Sequence, residues 1–336
     1  MGHAVHVIDG YYLVITGIIT VAYQLIGFAI AFTRGIDTLT DICGSSNFIL
    51  LAILTLALSG NRHEPRNLLV SLFIMVWAAR LGGFLLFRII KTGKDDRFDD
   101  KRDKFWSFLG FWLLQMLWVW TCSLPVTILN SPKVTQFSQP GFGTGCDIAG
   151  IILFAIGFIM ESLSDLQKYR FRSTREKSDI NDAGLFNWTR HPNYMGDILV
   201  QFGIFTIAVA PAANHHVSGG AYAALYASVL GPFFLTTLLM FVSGLPLQER
   251  PGAKKRYENG TNWPAYERYL HRTSILIPFP PRIYEKLPVL LKRTIFLEFP
   301  LYVFDPAKHA DQSQVHARSA EQGQAVRRSD EEGLGD

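Results

Sequence analysis

The residues whose types and spacing suit them to chemistry concentrate between Glu161 and Asp197. The segment "TRHPNYMGD" (Thr189–Asp197) gathers Arg190, His191, Asn193, Tyr194 and Asp197 between two long apolar runs. Pro192 biases the chain before it toward an extended turn, and Gly196 permits close approach of backbone or ligand. Upstream, "ESLSDLQKYRFRSTREK" (Glu161–Lys177) sets Glu161, Asp165, Lys168 and Arg172 at steps of three and four. Those steps place acids and bases on one helical stripe. Ion pairing on a solvated helix end accounts for such a stripe. So does a cup for an anionic cofactor, in which Lys and Arg meet phosphates while carboxylates hold hydroxyls or orient the cations. His191 alone reads as an ordinary hydrogen-bonded histidine; the whole cluster reads as a site.

Two further clusters bear on that site. "QERPGAKKRYENGTNWPAYERYLHRTSILIPFPP" (Gln248–Pro281) carries the basic run Lys254, Lys255 and Arg256 with Tyr257, Trp263, Tyr266 and Tyr269. Its rings suit either stacking on a nicotinamide or adenine, or a membrane-interface belt. "WAARLGGFLLFR" (Trp77–Arg88) puts Arg80 inside an apolar run. Arg88 can snorkel to the surface, whereas Arg80 is deep enough to need a partner, with Asp41 the nearest acidic candidate. The chain has no HExxH, P-loop or GxGxxG motif here, which argues against a soluble-type nucleotide fold and leaves no metal site in view.

The elements that position these clusters are set by composition. Of 336 residues, 49% are hydrophobic and only 18% charged, against about a quarter charged in a typical soluble domain. The charges fall in short connections between runs long enough to cross a ~30 Å hydrocarbon core as helices. The reading is all-α and polytopic, with about seven spans at 11–33, 42–59, 68–90, 105–129, 145–163, 197–213 and 221–243. The polar "CGSSN", Arg80 and Gln115 mark faces turned into the bundle. Basic residues crowd connections 88–104 and 164–193 and everything after Gly244, which places the N-terminus outside and the C-terminus in the cytoplasm. Arg62 and Arg66, in a short loop on the outer side, run against that rule. The first run is not a cleavable signal.

Cys43, Cys122 and Cys146 are widely spaced, with no CxxC pair, and read as buried thiols. The net charge of +4 is accounted for by positive-inside loops near anionic headgroups, with no separate support for nucleic-acid binding. Residues 1–130 read as a substrate-side membrane half and 131–285 as a half with cofactor-binding loops. Residues 286–306 read as an interfacial helix and 307–336 as a disordered tail.

"QKYRFR", "LFNWTRHPNYMGD" and "RYENGTNWPAYERYLHRTSILIPF" resemble the C-terminal half of steroid 5α-reductases and sterol Δ14- and Δ7-reductases. The "HPNYxGD" form is similar to the sterol reductases, and the spacing of Glu161, Asp165 and Arg172 to the 5α-reductases. The whole pattern, with "WxxRLxxFLxxR" and "GKDDRFDD", most resembles the steroid-reductase-like membrane proteins of unknown function, over roughly residues 70–285. Isoprenylcysteine and phospholipid methyltransferases share an "RHPxYxG" segment, but they carry paired glutamates where this chain reads "QER" (Gln248–Arg250).

The resemblance implies an NADPH site lined by Glu161, Asp165, Lys168, Arg172, Trp188, Arg190, His191, Asn193, Tyr194 and Asp197, closed by Tyr266 and the run 254–256. It implies hydride transfer to a C=C bond of a sterol-like or other lipid substrate entering from the bilayer, in the endoplasmic reticulum or a bacterial inner membrane. Asp41, Trp77, Arg80 and Tyr194 are the catalytic candidates. Trp77 falls where the 5α-reductases carry a tyrosine, and an indole N–H donates a hydrogen bond but is a poor general acid. The alternatives are a membrane methyltransferase using S-adenosylmethionine, or a non-catalytic lipid-binding relative. No protein partner is implied.

Overall fold

The computed structural model describes residues 4–36, 38–92, 104–176 and 178–313. Among them the chain is helical with no strand, only isolated bridges. Six helical stretches are long and apolar enough to cross a membrane: Leu13–Arg34, Thr38–Leu58, Pro65–Lys91, Phe105–Cys122, Gly145–Thr174 and the interrupted run Gly219–Glu258. The chain is a polytopic helical membrane protein.

The expected span 197–213 departs from this pattern. It is the 17-residue helix Pro192–Ala208, roughly 26 Å long at ~1.5 Å per residue, slightly short of a ~30 Å core. Pro211 lies in the next short turn and lacks the N–H that would extend the ladder. By length the count among the described residues is therefore six. The orientation drawn from the basic loops needs a seventh crossing, for which this short helix and the turn after it are the candidate.

The chain divides into two compact units, one of Met1–Phe158 with Asp197–Thr236, the other of Ile159–Gly196 with Thr237–Asp336. The division cuts three helices and does not follow the halves 1–130 and 131–285.

In the first unit, α1 (Leu13–Arg34), α2 (Thr38–Leu58), α3 (Pro65–Thr92) and α4 (Phe105–Cys122) pack with α2 on α3 and α1 on both α2 and α4. Short turns α5 (Leu124–Leu129) and α6 (Pro132–Thr135) lead to α7 (Gly145–Thr174), whose first half belongs here. The rest of this unit is α8 (Pro192–Ala208) from Asp197 onward, α9 (Ala210–Ala213), α10 (Gly219–Ala227) and most of α11 (Leu230–Thr237).

Polarity in this unit is inverted relative to a water-soluble bundle. Ile148, Ile152 and Ile156 repeat every four residues along α7 and are each more than half exposed, a stripe suited to lipid. Inside, Gln115 Nε2 donates to Gln24 Oε1 at 2.9 Å and Gln24 Nε2 to Asn47 Oδ1 at 3.1 Å. Buried amides paired across helices hold such a bundle when lipid removes the hydrophobic drive. Small residues do the same: a Cβ on Gly150 would lie 2.6 Å from the Gly203 carbonyl, so α7 and α8 touch backbone to backbone.

Arg66, expected to violate the charge rule, is 2% exposed and paired with Asp147. Its charge is neutralised within the protein and adds nothing to the loop's balance.

The second unit holds the C-terminal half of α7, the entry to α8, a π-helical turn Leu238–Val242, α12 (Leu245–Glu258) and α13 (Trp263–Arg272). It ends with the short helices α14 (Pro281–Tyr284), α15 (Val289–Thr294) and α16 (Pro306–His309). Residues 286–306 are thus one six-residue helix and irregular chain, where an interfacial helix was expected. The tail is described to residue 313, with the Asp311 N–H donating to Glu258; its remainder lies outside the described residues. So do Lys177 and the segment 93–103, with "GKDDRFDD" and its basic residues. Cys43 and Cys122 are buried, Cys146 is half-buried, and all three are free thiols.

Candidate functional site

The polar loop before α8 is stitched at both ends, within the second unit. Gly184 adopts φ +61°, and a Cβ there would lie 2.6 Å from the Gln167 amide. That glycine lets the loop press onto α7, where Gln167 Oε1 accepts from the Leu185 N–H at 3.1 Å. The loop then pairs with residues 274–279. The Arg190 N–H donates to the Ser274 carbonyl (2.8 Å), Thr189 Oγ1 to that of Leu276 (2.9 Å), and the Phe279 N–H to that of Trp188 (3.1 Å). The Tyr269 hydroxyl donates to the Phe186 carbonyl at 2.9 Å, and burial raises its pKa. Pro192 then opens α8 at the first helical position, where no N–H is required.

Beneath the loop lies a buried charge cluster. Arg190 Nη1 donates to Glu249 Oε2 at 2.5 Å, and Nη2 pairs with Glu298 Oε1. The second Glu298 oxygen accepts from the Tyr284 hydroxyl at 2.9 Å. Burial works against the Arg190 charge, but the two carboxylates more than offset it and its pKa is raised.

His191 Nε2 lies 2.5 Å from Glu249 Oε1. An ionised carboxylate only accepts, so this nitrogen carries the proton. Burial pushes the His191 pKa below its ordinary value; Glu249 opposes the shift, while Arg190 and Lys168 add to it. The ring is therefore neutral near pH 7, and it stacks on Tyr194 with centroids 5.1 Å apart and planes 5° from parallel. Gln248 Nε2 in turn donates to the Tyr194 hydroxyl.

The other expected cofactor residues divide into two groups. Glu161 is buried, Asp165 and Lys168 are half-buried and Arg172 is exposed, in order along the end of α7. The Leu185 N–H bond to Gln167, one residue before Lys168, holds this helix end beside the loop. Trp188 is 46% exposed, and half-buried Asn193 makes no side-chain hydrogen bond among the described residues. Tyr266 lies under Arg256, whose guanidinium is 4.7 Å from the ring centroid; burial pushes its pKa up to about 12. Arg256 also donates to the carbonyls of Ser178 and Asp179, so this member of the basic run braces the chain after α7.

Asp197 belongs with the first unit. There Trp77 Nε1 donates to Asp197 Oδ1 at 3.1 Å. Trp77 is 0% exposed and meets Phe48 and Trp118 edge-on. A fully buried indole with its N–H given to a carboxylate is placed to orient that carboxylate. Arg80 is half-buried with its guanidinium 5.7 Å from the Phe84 ring centroid. Asp41 is half-buried in the first turn of α2, its carbonyl accepting from Ser45 Oγ.

Glu249 and Glu298 were not among the residues expected from sequence. The one available signal was electrostatic: an arginine and a histidine buried together require a carboxylate. The acids that supply it stand 59 and 108 residues from Arg190.

Fold and site together define a helical membrane protein with a polar loop pinned by buried ion pairs beside a basic helix end. The profile of a family described as "Protein of unknown function (DUF1295)" matches residues 27–273. The chain belongs to that family, which is steroid 5α-reductase-like. Neither a curated protein nor a solved structure matches the chain.

Proposed function

We propose that the chain is an NADPH-dependent membrane reductase that reduces a C=C bond of a sterol-like or other lipid substrate. One observation carries this reading. Arg190 and His191 are committed to Glu249, so the loop is held firmly, while Trp188 on that loop and Asn193 in the first turn of α8 keep ring and amide available. They do so beside a helix end bearing Lys168 and Arg172.

The residues fit the cofactor in kind. Lys168 and Arg172 suit the phosphates, the Asn193 amide suits the carboxamide, and Trp188 offers a flat apolar wall. Arg190 is more than neutralised by two glutamates and serves by holding the loop. NADPH supplies the hydride when bound. The reduced bond then needs one proton on its other carbon, and the Tyr194 hydroxyl, beside Gln248, is the candidate donor.

The test is NADPH titration of the detergent-solubilised full chain. Arg172→Ala and Asn193→Ala are each expected to weaken binding by about tenfold or more. Unchanged affinity in both variants removes the site assignment. Binding of S-adenosylmethionine in place of NADPH removes the reductase reading.

A further inference from the structure

A second site is built into the second unit, independent of the cofactor reading. A cavity of about 240 Å3 has the Arg190–Glu249–Glu298 cluster in its lining. It falls below the roughly 300–1,000 Å3 typical of sites for drug-sized ligands, so it suits a headgroup-sized molecule and not a dinucleotide. Part of its wall comes from outside the family match, which ends at residue 273. Lys292, Arg293, Glu298, Tyr302 and Phe304 all follow that point and line the cavity. The C-terminal extension therefore completes a site that the family portion alone lacks.

The lining separates two chemistries. Trp263 and Phe304 meet edge to face at 5.5 Å, and with Tyr302 they bring three aromatic rings to the cavity. Nearby, Glu249 and Glu298 share the single positive charge of Arg190, which leaves the cluster with excess negative charge while His191 is neutral. Rings and excess carboxylate suit an ammonium group, above all a quaternary one. Lys292 and Arg293 supply the opposite sign. Neither they nor Glu267, also in the lining, forms an ion pair among the described residues. The Lys292 ammonium instead donates to the His271 carbonyl at 3.0 Å and lies 4.6 Å over the Tyr284 ring. Two cations on successive residues suit a phosphate.

We infer that this cavity binds a phosphorylated amino alcohol of the phosphocholine class, with its ammonium against Trp263, Phe304 and the carboxylates and its phosphate on Lys292 and Arg293. The same chemistry is offered by a phospholipid headgroup and by the free phosphate ester.

The experiment is calorimetric titration of the full-length protein in detergent with phosphocholine, choline and inorganic phosphate. Phosphocholine is expected to bind, and each half-ligand at least about tenfold more weakly. Lys292→Gln and Glu267→Gln are each expected to weaken phosphocholine by about tenfold, and Lys292→Arg to restore it. All three variants are expected to melt as the parent does and to keep its NADPH affinity, so this inference and the reductase reading fail separately. Absence of phosphocholine binding, or binding equal in parent and both Gln variants, overturns the inference. Repeating the titration in phosphatidylcholine and phosphatidylglycerol nanodiscs identifies the source. Loss of the signal only in phosphatidylcholine assigns the site to a lipid headgroup, and an equal signal in both assigns it to the free ester.

Discussion

Two buried arginines, one in each unit, solve the same electrostatic problem differently. Arg66 faces one carboxylate and uses its whole fork. Nε and Nη2 donate to Asp147 at 2.8 Å each, Nη1 to Gln139 Oε1 and the Pro140 carbonyl, and Nη2 also to the Gly141 carbonyl. Asp147 is equally occupied, accepting also from the Gly143 and Thr144 N–H groups and the Thr144 hydroxyl. Charge is balanced and the valences are filled, which describes a clamp between the starts of α3 and α7. Arg190 faces two carboxylates, its Nε has no hydrogen-bond partner among the described residues, and the neighbouring histidine is held neutral. Saturation of the first pair marks structure, and the unequal balance of the second leaves capacity for a ligand.

The largest effect should follow from breaking the saturated pair. Arg66→Ala leaves Asp147 buried and unpaired, which costs about 3–5 kcal/mol and should be read as a large fall in thermal midpoint in detergent. Replacing both partners with apolar residues of similar size should recover most of that loss, since a buried pair is close to neutral against well-packed hydrophobes. A double variant no better than Arg66→Ala would mean that Asp147 holds its loop without help from Arg66.

Glu249→Gln should cost less, about 1–3 kcal/mol, because Arg190 keeps Glu298 and the amide still offers an oxygen to His191. Its main expression should be weaker NADPH binding, as the loop loses its central pin. If this variant melts as low as Arg66→Ala with cofactor affinity unchanged, the two clusters are alike and the contrast fails.

The contrast was only partly legible in the chain. Apolar runs of membrane length declared the all-helical, membrane-spanning plan, because each span is a local property of about 20 residues. The cluster Arg190–Asp197 was visible for the same reason, its members being neighbours in sequence. Pairings were not visible. Arg66 read as a topological anomaly because Asp147 lies 81 residues away. Glu249 read as half of a missing glutamate pair, when it is the hub that holds Arg190 and His191. Glu298 was assigned to an interfacial helix, since bulky apolar neighbours hide one acid in a local pattern. Asp197, grouped by sequence with the cofactor residues, meets Trp77 across 120 residues. Local chemistry and span length can be read from spacing, whereas the partner of a buried charge is decided by how helices pack.

A smaller effect concerns pH. His191 is buried and neutral, facing Glu249, Arg190, Tyr194 and Lys168, with its pKa below the unfolded value of about 6.5. In the acid range the unfolded chain binds the proton that the folded one refuses, so stability rises with pH there. The contribution is fully present above about pH 6.5 and is lost as pH falls through the folded value. Melting midpoints compared between about pH 7.5 and about pH 5.5 should fall in the parent, and fall less in His191→Gln. Equal slopes would place the acid sensitivity elsewhere.

The smallest stability effect should come from Arg172→Ala, and that smallness is what makes the substitution informative. Arg172 is exposed near the end of α7, where surface substitutions move stability by within about 0.5 kcal/mol. A near-unchanged melt with NADPH affinity down by about tenfold separates binding from folding in one variant, which neither buried cluster allows. NADH sharpens the reading, because it lacks the 2′-phosphate. If Arg172 meets that phosphate, the parent should prefer NADPH, and Arg172→Ala should lose the preference while leaving NADH affinity close to its starting value. If both cofactors weaken equally, Arg172 acts on the shared pyrophosphate, and the preference for the 2′-phosphate must come from another cation at this helix end, with Lys168 the first to test.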